Sequence, residues 1–111
     1  MDKRREEKIF QMHAEVCKTM SNPTRLKIIS LLREGEKGVE ELRRRLGLPK
    51  ANLSQHLGIL RHRRIVSTRR AGLNIYYRIT SPKMIKACDI LREVLFEQLQ
   101  EGEMLMKNLR K

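Results

Sequence analysis

The sequence predicts a mainly α-helical fold with a β-hairpin wing, that is, a winged helix-turn-helix made dimeric through its first and last helices. Three features lead there. Apolar residues recur at helical spacing through most of the chain, a short turn containing Gly and Pro joins two of the helices, and the period switches from helical to strand-like just after them. The 111 residues leave room for a single domain over 1–111. An apolar content of 40% with no Trp, two Tyr and two Phe implies a small core of Leu, Ile, Val and Met.

Ile9, Met12, Val16 and Met20 fall at i, i+3, i+7 and i+11, so a first helix is expected over 6–20. Ser21-Asn22-Pro23 then offers a polar N-cap and a proline for the first helical position. Leu26, Ile28, Ile29, Leu31 and Leu32 form a broad face for burial, Gly35 ends that second helix, and Gly35-Glu36-Lys37-Gly38 reads as a turn. Val39, Leu42 and Leu46 carry a short third helix, with Gly47 placed for a left-handed C-terminal cap. Pro49 opens a fourth helix, and the pair with its connecting turn makes the helix-turn-helix over 39–63. At 100° per residue, Leu57 and Leu60 lie within about 40° of the direction of Leu53, whereas Ala51, Gln55, Gly58 and His62 point the other way. The outward face is therefore small or polar.

Ile65–Arg70 and Asn74–Ile79 are rich in β-branched and aromatic residues and flank Ala71-Gly72-Leu73, which predicts a hairpin wing over 65–79. Ser81-Pro82 caps a last helix over 82–110 with Leu91, Leu95, Gln98, Gly102, Leu105 and Leu109 along one seam. Such a helix is about 43 Å long. A domain of this size has a radius of gyration of only ~13 Å, so the seam calls for a second subunit, and a homodimer is the simplest arrangement.

The formal charge is +12 and the isoelectric point near 10.4, which selects a polyanion or an anionic surface as partner and disfavours cationic substrates. Between Glu41 and Arg78, ten Lys or Arg face one acidic residue, so +9 of the +12 lies in 38 residues that include the helix pair and the wing. A helix with small or polar outward residues suits the major groove, and a basic hairpin beside it suits the phosphate backbone. No apolar run approaches the ~18–20 residues of a membrane span and no signal-peptide stretch follows the charged start, so a soluble cytoplasmic protein with no membrane partner is expected. Two cysteines are too few for a disulfide framework. Scattered histidines and the absence of a Ser-His-acid or Gly-rich phosphate motif argue against an enzyme, and no cofactor is expected.

Ser21-Asn22-Pro23-Thr24-Arg25-Leu26-Lys27-Ile28-Ile29, Leu53-Ser54-Gln55-His56-Leu57-Gly58-Ile59-Leu60, and the stretch from Arg69 to Ile79 with Gly72 and Tyr76-Tyr77-Arg78 resemble the opening segment, recognition helix and wing of the ArsR/SmtB-type winged-helix repressors. The resemblance covers nearly the whole chain. It implies a homodimer held by the first and last helices that binds a partly palindromic double-stranded DNA operator and releases it when a small inducer docks. Carried over by position, Lys50, Asn52, Ser54 and Gln55 stand at the groove-facing start of the recognition helix. Gln55 is placed for a base edge, Lys50 and Ser54 for phosphates, and Arg69, Arg70 and Arg78 for phosphates from the wing. His56 projects about 60° from the inward direction, leaving a packed, hydrogen-bonded role and a phosphate contact both open. Arg43, Arg44 and Arg45 are placed to run along the backbone.

The family's metal sensors carry Cys in the third helix or His with acidic residues in the last. Here Gly38-Val39-Glu40-Glu41-Leu42 has no Cys and 81–111 has no His, so no metal site is expected. What remains is Cys17, four residues after His13, and Cys88 near the start of the last helix: a candidate thiol sensor at the dimer interface, or two small core residues. Two other readings of the same residues stay open. One is a non-specific architectural DNA- or RNA-binding winged helix, the other a protein-interaction module acting through the last helix.

Overall fold

The computed structural model describes residues 2–110. The elements follow the order α1 (Lys3–Met20), α2 (Pro23–Leu32), β1 (Lys37–Gly38), α3 (Val39–Leu46), α4 (Lys50–His62), β2 (Val66–Ala71), β3 (Asn74–Ile79) and α5 (Pro82–Leu109). The chain divides into two units, one ending at Thr80 and the other, α5, beginning at Ser81.

Caps place the helix starts where side-chain chemistry demands. Asn22 accepts from the Arg25 amide at 3.1 Å with Pro23 in the first turn, and Ser81 accepts from the Lys83 amide ahead of α5. Gly47 adopts φ 65° and ψ 35°, and its amide and that of Leu48 both donate to the Arg43 carbonyl, which ends α3 sharply enough for α4 to start three residues later. Pro49 serves as the N-cap of α4 in extended conformation, one position ahead of the first helical residue. The other end of α4 is capped by a residue the sequence does not flag. Arg64 takes φ 59°, its amide donates to Arg61, and the amide of Ile65 reaches back to Leu60. This is a Schellman motif with arginine in the left-handed position that glycine usually fills, and both of its apolar partners, Leu60 and Ile65, are buried.

The core of the first unit is Ile28, Ile29 and Leu32 of α2, Leu42 of α3, Leu53, Leu57 and Leu60 of α4, and Ile65 and Val66 entering the wing. It contains no aromatic ring. Two of the expected apolar faces are not fully buried: Leu26, about 60° round α2 from Ile29 and about 160° from Ile28, is 45% exposed, and Ile9 and Met12 of the α1 stripe are 50% and 59% exposed. Within α5 no described side chain is buried, so Leu91, Leu95, Leu105 and Leu109 lie on an open apolar seam. No helix among the described residues is long and apolar enough to cross a membrane.

The segment read as a turn at 35–38 contains a strand. β1 pairs antiparallel with β3, Lys37 opposite Tyr77 and Gly38 opposite Tyr76, making a sheet of order β1-β3-β2. A two-residue strand has no periodicity to read, and only its partner reveals it. β2 and β3 join through Gly72-Leu73 with positive φ at the first loop residue only, the pattern of a type II′ hairpin turn.

Candidate nucleic-acid interface

With Leu53, Leu57 and Leu60 wholly buried, α4 has one rotation about its axis, and that rotation sends Lys50, Asn52, Ser54, Gln55 and Gly58 to the surface. These side chains are not tied by hydrogen bonds or ion pairs to other described residues, so their donors and acceptors face outward unspent. Gly58 adds no bulk: a Cβ built there meets nothing within 4 Å. His56 is half-buried at the edge of this face. Its Nδ1 is buried without a hydrogen-bond partner, which corrects the expectation of a hydrogen-bonded histidine at that atom and keeps the same atom from reaching a phosphate.

The three arginines of α3 differ in how far they are free. Arg45 forks onto Glu34 with Nη1–Oε1 2.7 Å and Nη2–Oε2 3.0 Å, Arg43 lies 3.5 Å from Glu40, and Arg44 is exposed. Lys37, only 8% exposed, stands 3.4 Å from Glu34 and 3.3 Å from Glu41, so this cation is a paired, buried group. The Arg45 guanidinium, helped by Lys37, pulls the Glu34 carboxyl from its usual 4.5 down to about 2 against the opposing effect of desolvation.

The wing separates its arginines by strand alternation. Arg69 faces Tyr76 across the ladder, its guanidinium carbon 4.9 Å from the ring centre, and clasps Glu36 with Nη2–Oε1 2.6 Å and Nε–Oε2 3.0 Å. Arg69 thus engages Nε and Nη2 with a carboxylate that stands just ahead of β1, and any phosphate contact by Arg69 competes with that pairing. That pairing holds the Glu36 carboxyl below its ordinary range and raises Arg69 above its own. Arg70 turns to the other face and is exposed without a carboxylate partner, and Arg78 donates from Nε to Ser67 Oγ at 3.2 Å. A count of charge over 41–78 misses Glu34 and Glu36, which lie just outside it in sequence and neutralise two of its ten cations in space.

Cys17 is exposed on α1 of the first unit, and Cys88 is half-buried on α5 of the second. Among the described residues no three His, Cys, Asp or Glu side chains gather as a metal site.

Comparison with known proteins gives a consistent result. Residues 22–68 match the family model described as bacterial regulatory protein, arsR family. The HTH-type transcriptional regulator Rv0081 of Mycobacterium tuberculosis is 35% identical over 105 residues, 94% of this chain and 92% of that one, and its crystal structure superposes with a TM-score of 0.77. The biofilm growth-associated repressor of Xylella fastidiosa is 39% identical over 89 residues, 80% of this chain and 78% of the repressor. The homodimeric winged helix-turn-helix DNA-binding domain of Mb0332 from Mycobacterium bovis aligns at 29% identity with a TM-score of 0.80, covering 89% of this chain and 92% of that domain.

Proposed function

Since the chain belongs to the ArsR family of winged helix-turn-helix, DNA-binding transcriptional regulators, which are not enzymes, we propose that it is a homodimeric repressor that recognises one partly palindromic operator. The observation that carries this reading is the face of α4: its inner leucines fix its rotation, and Ser54 and Gln55 stand outward and unpaired on its first two turns. Gln55 reads a base edge, adenine being the purine that glutamine bonds in two places. Lys50, Asn52 and Ser54 set the register of the helix, with Arg70 and Arg78 gripping phosphates from the wing. His56 supports the helix from its half-buried position, and Arg69 positions the wing through Glu36. The open seam of α5 supports a second copy as partner, because exposed apolar surface of that extent calls for cover.

Release by a small inducer is part of the same proposal. Cys17 and Cys88 are the candidate sensing thiols, and the exposure of Cys17 supports its access to an oxidant or polysulfide. Selecting bound duplexes from genomic fragments tests the whole reading. An operator preferred over mixed-sequence DNA by roughly 10³ or more at physiological salt is expected. Equal affinity for every duplex would make the protein an architectural DNA coat instead.

A further inference from the structure

A groove of about 700 Å³ opens between the end of α1, the start of α2 and the outer face of α4. Its α4 wall includes Ser54 and Gln55, so it is continuous with the face assigned to base reading. The opposite wall and far end hold Lys18 of α1, Arg25 of α2 and Arg63 at the C-cap of α4. Two observations at this wall bear on anion binding. The Arg25 guanidinium has no ion pair among the described residues and its buried Nε has no hydrogen-bond partner, so its positive charge stands uncompensated beside the groove. Arg63 holds its Nη2 2.9 Å from Glu15 Oε2, so a carboxylate of the protein itself already occupies one anion position on the rim.

We propose that this groove seats a backbone phosphate of the DNA strand flanking α4, with Lys18 and Arg63 as its charged contacts and Glu15 as the internal anion that the phosphate replaces on Arg63. The proposal rests on the reading of α4 as the groove-entering helix, since that is what brings the duplex to Ser54 and Gln55. It adds the α1–α2 junction as a third point of attachment beside the recognition helix and the wing. The three points sit on separate elements, so the junction limits how far the duplex can rotate about α4. Glu15 sets the strength of this attachment: as long as it holds Arg63, one cation at the rim is screened from the duplex.

The test measures affinity against salt for the full-length protein, by fluorescence anisotropy on an operator selected from a random pool and on a mixed-sequence duplex of the same length. Lys18→Gln and Arg63→Gln should each flatten the plot of log K against log salt by about 0.9 for every phosphate no longer neutralised, and alike on both duplexes. Glu15→Gln should act the other way, binding both duplexes more tightly because it frees Arg63 and removes a negative charge. If the Glu15–Arg63 pair merely strapped α1 to α4, Glu15→Gln and Arg63→Gln would weaken binding together, and that result overturns the proposal. Unchanged slopes in the Lys18 and Arg63 variants, with Gln55→Ala still losing its operator preference, also overturn it and leave the α4 reading standing. Full operator preference in Gln55→Ala strikes at the α4 reading instead. Inorganic phosphate that raises the melting temperature of the wild type but not of Arg63→Gln, with DNA slopes unchanged, would assign the groove to a small anion and reject the duplex.

Discussion

Replacing Gln55 with alanine separates reading from gripping. The side chain is exposed, sits two residues from the wholly buried Leu53 and Leu57, and makes no contact that holds the fold together. Alanine also favours helix, so the stability change should stay within about 0.5 kcal/mol. A bidentate contact to the correct base is worth about 1–3 kcal/mol, or roughly 5- to 150-fold in Kd at one half-site. In a symmetric dimer two such losses at distant positions add, giving about 2–6 kcal/mol on the operator. Anisotropy titrations at one fixed salt concentration, on the selected operator and on the same duplex scrambled, measure this directly. The operator should weaken by that amount with its preference relaxed at one base position per half-site, and the scrambled duplex should hardly change. Arg70→Ala, measured alongside, should weaken both duplexes and lower the salt slope by about one. Equal losses on both duplexes for Gln55→Ala would refute direct reading by this residue.

Four further outcomes are expected. Leu57→Ala empties a wholly buried site and should cost about 2–5 kcal/mol in urea unfolding, with sequence preference retained by the folded fraction. Arg64→Gly relieves a left-handed arginine at φ 59° and should raise stability by about 0.5–1 kcal/mol, the ~1–2 kcal/mol of strain less the backbone entropy of glycine; a loss of stability would discredit the cap. Because the Glu34 carboxyl is lowered to about 2 when folded, its contribution to stability is complete above pH 4.5 and fades as pH falls from there toward 2. Urea midpoints of wild type and Glu34→Gln should therefore differ at neutral pH and converge at pH 2. Alkylation followed by mass spectrometry should label the exposed Cys17 before the half-buried Cys88, and operator release by polysulfide that survives both Cys17→Ser and Cys88→Ser would remove the thiol hypothesis.

The helix-turn-helix was legible because everything that defines it is local. Leu53, Leu57 and Leu60 recur at helical spacing, Gly47 lies where a left-handed cap ends α3, and the buried side of α4 follows from 100° per residue. The hairpin was legible for the same reason, from β-branched runs on either side of a turn glycine. The candidate interface was readable where it coincides with the outward face of α4, and unreadable where it depends on pairing. Glu36 and Arg69 are 33 residues apart in sequence, and Arg45 and Glu34 are 11 apart. Glu15, Lys18, Arg25 and Arg63 come together only because three helices end near one another.

By itself, then, the sequence determined the order of the helices and the hairpin, the rotation of α4 and the excess of cations in the middle of the chain, since period, caps and charge are properties of neighbouring residues. Only the tertiary structure decided which of those cations are free. β1 carries Glu36 to Arg69, Lys37 is drawn between two glutamates, and Glu15 reaches Arg63. The physical reason is that an ion pair depends on distance in space, falling off over a few ångströms, and a chain folded back on itself sets that distance without regard to separation in sequence.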